Sequence, residues 1–91
     1  MRVLVSMRVV FTKQAQRDAK GLAAAGLAPK ARDIIAIIAE DPYRNPPPYE
    51  KLMGHLKGAY SRRVNIHNRI VYQVLEEERV VKVLRMWRHY E

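Results

Sequence analysis

The fold of this 91-residue chain is decided by one stretch, residues 56–74, which reads LKGAYSRRVNIHNRIVYQV. Two runs rich in β-branched and aromatic residues, Ala59–Ile66 and Arg69–Leu75, flank the short polar break His67-Asn68. Asparagine favours the tight or left-handed conformations that connect two strands. The stretch therefore predicts a β-hairpin.

The predicted hairpin has two different faces, because side chains alternate across a strand. One face supplies apolar residues to a core, namely Val64, Ile66, Ile70 and Val74. Tyr60, Arg62 and Tyr72 share the parity of this core face. Arg63 and Arg69 fall together on the opposite face, where two convergent guanidiniums are typical of a phosphate site.

The residues before the hairpin predict a strand and two helices. Arg8–Phe11 is a short β-branched and aromatic run, and Thr12 is a suitable N-cap for a helix that ends near Gly26. A second helix is predicted to start at Pro29 and to end at Pro42. The short connection between the two helices predicts an antiparallel helix hairpin that packs on one face of the sheet.

A proline-rich loop, residues 41–49, follows the second helix and leads directly to Glu50. After the β-hairpin, Glu76–Glu78 predicts an exposed turn, and Arg79–Trp87 predicts a third antiparallel strand in the interior of the sheet. The element order is therefore βααβββ. We expect an α+β fold in which a two-helix hairpin packs on one face of a small, mostly antiparallel twisted sheet.

The composition limits the classes of function. Lys and Arg outnumber Asp and Glu by 17 to 9, and a formal charge of +8 favours binding to a polyanion or an acidic protein. The chain has no cysteine and no apolar run long enough to span a bilayer, so we expect a cytoplasmic protein. Residues 1–91 are predicted to form one domain, in which Met1–Ser6 is a dispensable extension that nearly repeats the residues from Met7 onward.

One set of residues could cleave RNA without a metal ion. Such a reaction needs a base for the 2′-hydroxyl proton, an acid for the leaving 5′-oxygen, and cations around the phosphorus. Glu50 is the candidate base, His89 the candidate acid, and Arg63 with Arg69 the candidate phosphate clamp. Tyr90 could orient the leaving side or stack on a base. The sequence contains no metal-ligand cluster, P-loop or dinucleotide-binding motif, so we expect no metal and no cofactor.

The same residues carry a resemblance to a known family. The run PYEKLMGHLKGAYSRRVNIHNRIVYQV, residues 48–74, and the ending RMWRHYE, residues 85–91, resemble the Txe/YoeB toxins of the RelE/ParE toxin-antitoxin superfamily. The resemblance covers Met7–Glu91. It implies a RelE-like, microbial-ribonuclease-like fold and a bacterial mRNA interferase that cuts messenger RNA in the ribosomal A site. It also implies silencing by a cognate antitoxin of the YefM, Phd or Axe type, and it leaves open whether the free toxin is a dimer.

Carried over by position, the resemblance places the family's catalytic groups on Glu50, Arg63, Arg69, His89 and Tyr90. Further RNA-binding residues are predicted from their positive charge near this set, namely Lys51, Lys57, Arg62 and Arg88. One departure from the family pattern is Met53, where some relatives have a lysine.

Two alternatives remain at this point. A ParE-like toxin that poisons DNA gyrase would need no base and no acid beside an arginine pair, so Glu50 and His89 favour the ribonuclease. A non-catalytic RNA-binding module would show stacking aromatics on an open sheet face, whereas Tyr60 and Tyr72 fall on the core parity.

Overall fold

The computed structural model describes the backbone of residues 6–88 and the side chains of residues 6–86. The elements in chain order are β1 (Arg8–Phe11), α1 (Lys13–Ala24), α2 (Ala28–Glu40), β2 (Glu50–Lys51), β3 (Ala59–Arg63), β4 (Asn68–Leu75) and β5 (Val80–Arg88). A single 3-10 turn, Gly54–Leu56, separates β2 from β3. Neither α1 nor α2 is long and apolar enough to cross a membrane, and the described residues contain no other α-helix.

The strands form one sheet in the order β1-β5-β4-β3-β2. β1 pairs with β5 in parallel, and the other neighbours pair in antiparallel fashion. The predicted α+β fold, its mostly antiparallel sheet and the interior position of the last strand are confirmed. The two-residue strand β2 is an addition that the sequence did not predict, and it forms one edge of the sheet.

Local chemistry sets the ends of the helices as predicted. The Thr12 hydroxyl accepts a hydrogen bond from the Ala15 amide at 3.0 Å, which caps α1. α1 ends at Ala24, and Gly26 takes a left-handed φ of 77° that residues with a Cβ rarely adopt. Pro29 lies in the first turn of α2, where its missing N–H costs no helical hydrogen bond.

The core lies between the two helices and one face of the sheet. The helices contribute Ala15, Leu22, Ala31, Ile34 and Ile38, and the sheet side contributes Val64, Ile70, Tyr72, Val81, Val83 and Met86. Each buried aliphatic side chain in such a core stabilises the fold by about 1.5–3 kcal/mol relative to an exposed one. The core therefore fixes the face of β3 and β4 that is left to carry polar groups.

The prediction that Ile66 belongs to this core is wrong. Its side chain is 73% exposed because β3 ends at Arg63 and the chain turns before Ile66. The side-chain oxygen of Asn65 accepts hydrogen bonds from the amides of His67 and Asn68 at 2.9 and 2.8 Å. This local side-chain turn interrupts the strand alternation on which the prediction relied.

Asp18 on α1 protects the edge of β5 beyond the end of β1. Its carboxylate accepts hydrogen bonds from the Met86 amide at 3.0 Å, from Arg85 Nε at 2.8 Å and from Gln14 at 3.1 Å. Burial alone raises the pKa of Asp18, but the hydrogen bonds from Arg85, Met86 and Gln14 together lower it below its ordinary value of 3.8. The ionised carboxylate thus ties α1 to the strand that leads to the chain end.

Candidate active site

A cleft lined by charged side chains and prolines opens where the proline-rich loop meets β3 and β4. Its volume is about 300 Å³, and it is lined by Pro47, Pro48, Tyr49, Glu50, Ser61, Arg63 and Arg69. On β3 and β4 these lining residues alternate with side chains that are buried on the other face. The strand alternation that builds the core therefore also builds the cleft.

The two predicted clamp arginines face each other across neighbouring strands. Arg63 on β3 is the direct register partner of Arg69 on β4, so both side chains leave the same face of the sheet. Arg63 is exposed, whereas the side chain of Arg69 is only 14% exposed. The prediction that these arginines share one face is confirmed by the register.

Glu50 meets Arg69 in this cleft. One carboxylate oxygen of Glu50 lies 2.9 Å from Nη1 of Arg69, and the same nitrogen lies 3.2 Å from the Ser61 hydroxyl. β2 places Glu50 directly opposite Ser61 on β3. The Glu50 carboxylate remains 63% exposed, so a ligand can reach it from solvent. The cleft thus joins a reachable carboxylate to a fixed guanidinium.

Ser61 was not predicted as part of the site. It is 2% exposed and contacts Arg69, so its hydroxyl helps to fix the direction of that guanidinium. Its parity with Arg63, two residues along the same strand, is the signal that would have identified it.

The prediction that Arg62 binds RNA directly is wrong. Arg62 is 1% exposed, and its guanidinium points away from the cleft toward backbone carbonyls of the proline-rich loop. Its Nε also donates to the Tyr72 hydroxyl at 3.0 Å. A side chain that is buried and bonded in this way cannot contact a phosphate outside the fold. The core-side parity of Arg62 had indicated its direction correctly.

Four tyrosines pack together where the proline-rich loop meets β3 and β4. The rings of Tyr43, Tyr49, Tyr60 and Tyr72 contact one another with centroid separations of 5.6–6.4 Å. The Tyr43 hydroxyl donates a hydrogen bond to Glu76 at 2.6 Å. Burial, and to a smaller extent this hydrogen bond, raises the pKa of Tyr43. Burial likewise raises the pKa of Tyr72, against a lowering effect of Arg62. The hydroxyls of Tyr43 and Tyr72 therefore stay protonated and donate to Glu76 and to the Pro42 carbonyl.

Comparisons with known proteins identify the family of the chain. The family model described as YoeB-like toxin of bacterial type II toxin-antitoxin system matches residues 10–90. The chain belongs to this family. The toxin YoeB of Streptomyces coelicolor is 31% identical to it over 86 residues, which make up 92% of this chain and 100% of that protein.

Solved structures place the chain in the same YoeB and RelE-like group. A YoeB/ParE toxin from Agrobacterium tumefaciens matches with a TM-score of 0.82 and 27% identity, over 92% of this chain and 100% of that chain. YoeB in the heterotetrameric YoeB-YefM complex from Staphylococcus aureus matches with a TM-score of 0.76 and 28% identity, over 92% and 98% of the two chains. The protein is therefore a YoeB-type toxin of a type II toxin-antitoxin system.

The remaining predicted site residues either are exposed but do not line the cleft, or fall outside the described part of the chain. Lys51 on β2 and Lys57 before β3 are exposed, and Met53, at the position of a family lysine, is 78% exposed. His89, Tyr90 and the side chain of Arg88 lie outside the described residues. No cluster of three or more potential metal-ligating side chains occurs within the described part of the chain.

Proposed function

We propose that this YoeB-type toxin is a ribosome-dependent endoribonuclease that cuts messenger RNA in the A site without a metal ion. The observation that carries the proposal is the 2.9 Å contact between Glu50 and Arg69 in an open cleft that Arg63 also lines. This arrangement combines a proton acceptor with positive charge around one opening, as cleavage of a phosphodiester requires.

In the proposed reaction, Glu50 takes the proton of the 2′-hydroxyl, and the 2′-oxygen attacks the adjacent phosphorus. Arg63 and Arg69 stabilise the negative charge that develops on the phosphoryl oxygens. His89 protonates the leaving 5′-oxygen as its bond to phosphorus breaks, and Tyr90 orients that side of the RNA or stacks on a base. The products are a 2′,3′-cyclic phosphate and a free 5′-hydroxyl.

The ion pair of Glu50 with Arg69 suits this sequence of events. An RNA phosphate that enters the cleft competes for Arg69, because charge-assisted bonds from guanidinium to phosphate are strong and often bidentate. The carboxylate released from Arg69 is then available to accept a proton. Substrate binding and activation of the base are coupled through one guanidinium.

The path of β5 supports the proposed roles of the last residues. Arg88, the last described residue, pairs with Asn68, which immediately precedes Arg69. β5 therefore ends next to the strand that carries one of the two clamp arginines. We assign the acid to His89 and the orienting role to Tyr90 on this basis and on the family resemblance.

The positive charge of the chain fits a ribosomal substrate. Lys51, which follows Glu50 on β2, and Lys57, just before β3, are exposed, and the net charge is +8. Contacts of Lys and Arg with RNA phosphates release counterions, so binding should weaken steeply as salt concentration rises. We propose that these lysines and Arg88 help to dock the toxin on ribosomal and messenger RNA in a bacterial cytoplasm.

An antitoxin is the second proposed partner. The Staphylococcus aureus relative was solved in a heterotetrameric complex of YoeB with YefM. We propose that an antitoxin of this kind presents acidic side chains to the cationic cleft and blocks it.

Met7 donates its amide to the Ala39 carbonyl at 2.8 Å and packs against the core, so we place the functional start of the domain there and regard residues 1–6 as dispensable.

Primer extension on ribosomes that translate a defined message tests the proposal. Wild-type protein should produce discrete cuts, and Glu50→Ala and His89→Gln should each slow cleavage by about a hundredfold to ten-thousandfold. If both variants cut as fast as wild type, the acid and base assignments are wrong. If the protein cuts nothing but inhibits DNA supercoiling by gyrase, it acts as a gyrase poison instead.

A further inference from the structure

The carbonyl groups of the proline-rich loop converge on one buried guanidinium. Arg62 Nη1 donates to the Pro47 carbonyl at 2.6 Å, and Nη2 donates to the carbonyls of Pro42 and Arg44 at 3.0 and 2.8 Å. The Tyr72 hydroxyl accepts from Arg62 Nε and donates to the Pro42 carbonyl at 2.7 Å. One side chain of β3 therefore holds the loop at both of its ends.

Pairing with a neighbouring strand contributes little to the shape of the loop. Pro46, Pro47 and Pro48 have no backbone N–H, so this part of the chain cannot form a ladder of hydrogen bonds with a neighbouring strand. The guanidinium charge of Arg62 is satisfied by carbonyl dipoles, and the described residues place no carboxylate within salt-bridge distance of it. The Tyr49 ring covers it, with Cζ 5.0 Å from the ring centroid.

The two neighbours of Arg62 on β3 belong to the cleft. Ser61 contacts Arg69, and Arg63 is the register partner of Arg69. The loop that Arg62 holds ends at Glu50, whose strand is only two residues long. The loop's attachment to Arg62 therefore sets the position of the carboxylate relative to the cations, while β3 itself sets the position of the cations.

We propose that Arg62 is a positioning residue for the cleavage reaction, which acts on Glu50 through the proline-rich loop and does not touch RNA. The inference rests on the proposed nuclease function of the cleft. The planar fork of arginine reaches three loop carbonyls and a hydroxyl at once, and a lysine ammonium cannot reproduce this geometry. Arg62→Lys keeps the charge and removes the fork, so it is the informative variant.

The kinetic test measures single-turnover cleavage with ribosomes in saturating excess, at a temperature where each variant is folded by circular dichroism. Arg62→Lys should cleave at least tenfold more slowly and bind ribosomes within about twofold of wild type, because small displacements of a reacting group cost large factors in rate. Arg44→Lys is the matched control. Its side chain lies in the same loop, is half exposed and pairs only loosely with Glu40 at 3.6 Å, so its rate should not change.

A double-mutant cycle separates positioning from general destabilisation. If Arg62 acts through Glu50, Arg62→Lys should slow the residual reaction of Glu50→Gln by less than threefold, since the group being positioned is already gone. If the two substitutions multiply their separate effects, Arg62 does not act through Glu50, and the proposal is overturned.

Hydrogen exchange tests the mechanical step without any nuclease activity. In Arg62→Lys, exchange of the amides of Arg44 and Leu52, which donate to Asp41 and Ala59, should accelerate, while the amides of α1 should keep their wild-type protection. Unchanged protection in the loop would overturn the proposal. A wild-type protein that cuts no message defeats the proposed function instead, and in that case loop protection alone decides whether Arg62 fixes Glu50.

Discussion

Replacement of Asp18 by asparagine should destabilise the fold, because Asp18 on α1 binds residues of β5 that are far from it in sequence. The Asp18 carboxylate accepts from Arg85, from the Met86 amide and from Gln14, and only 10% of its side chain is exposed. Asparagine keeps one oxygen for the Met86 amide and Arg85 Nε, but it turns an amide donor toward Arg85 Nη2 and Gln14 Nε2, which are donors themselves. The variant therefore loses the negative charge and the hydrogen bonds that the second carboxylate oxygen accepts.

The cost follows from the bonds that are lost. A hydrogen bond to a charged group contributes about 1.5–3 kcal/mol, and the Arg85 guanidinium is 30% exposed, so water compensates part of its loss. We expect Asp18→Asn to lower the free energy of unfolding by about 2 kcal/mol at neutral pH. For a domain of this size, such a change corresponds to a fall in Tm of about 8–16 °C.

The destabilisation should depend on pH with a defined sign. The pKa of Asp18 is lowered in the folded state, so the unfolded chain takes up a proton first as the solution is acidified. The contribution of Asp18 is thus complete above its ordinary pKa of 3.8 and is lost as pH falls through the lowered folded value. The difference between wild type and Asp18→Asn should shrink below about pH 4.

Urea unfolding followed by circular dichroism, from pH 7 down to pH 3, measures both effects. Asp33→Asn on the exposed face of α2 is the control, and its unfolding free energy should stay within about 0.5 kcal/mol of wild type. The reasoning about the β5 edge is refuted if Asp18→Asn is as stable as this control at pH 7. It is also refuted if the difference in unfolding free energy between wild type and Asp18→Asn is the same at pH 7 and at pH 3.

Three further substitutions test other parts of the fold by the same unfolding measurement. Ile38→Ala removes a fully buried side chain from the core and should cost about 2–5 kcal/mol, and a cost below 1 kcal/mol would contradict the core assignment. Thr12→Ala removes the cap of α1 and the bond to the Leu84 carbonyl, and should cost about 1–2 kcal/mol. Tyr72→Phe removes the hydroxyl bound to the Pro42 carbonyl and should cost about 1–3 kcal/mol, with faster exchange in the proline-rich loop. Unchanged hydrogen exchange in the proline-rich loop would show that the loop does not need this hydroxyl.

The features that were predicted correctly from the sequence depend on neighbours in the chain. Thr12, Gly26 and Pro29 mark helix ends through their own backbone preferences, and each lies where it was expected. The shared face of Arg63 and Arg69 follows from strand alternation once the hairpin is recognised. Local chemistry and hydrophobic periodicity were sufficient for the order of all the helices and strands except β2, and for the shared face of the two arginines.

Arg62 and β2 were missed because they depend on contacts between distant segments, whereas Ile66 was missed because of a local turn. Arg62 carries a charge that suggested RNA binding, and only the fold brings the carbonyls of the proline-rich loop around it. β2 is too short for any sequence pattern to reveal, and its pairing depends on where that loop ends. Ile66 became exposed because the Asn65 side chain formed a turn and overrode the alternation. The outcomes for Arg62 and β2 depend on three-dimensional neighbours that no periodicity encodes.

The central claim is that the cleft cuts RNA by attack of a 2′-hydroxyl beside Glu50, Arg63 and Arg69. The most direct test gives wild-type protein and ribosomes a defined message in which the nucleotide on the 5′ side of the mapped cut is replaced by its 2′-deoxy form. The account predicts that cleavage at that position disappears, while the unmodified message is cut to a 2′,3′-cyclic phosphate. Cleavage of the deoxy-substituted message at the unmodified rate would contradict the account.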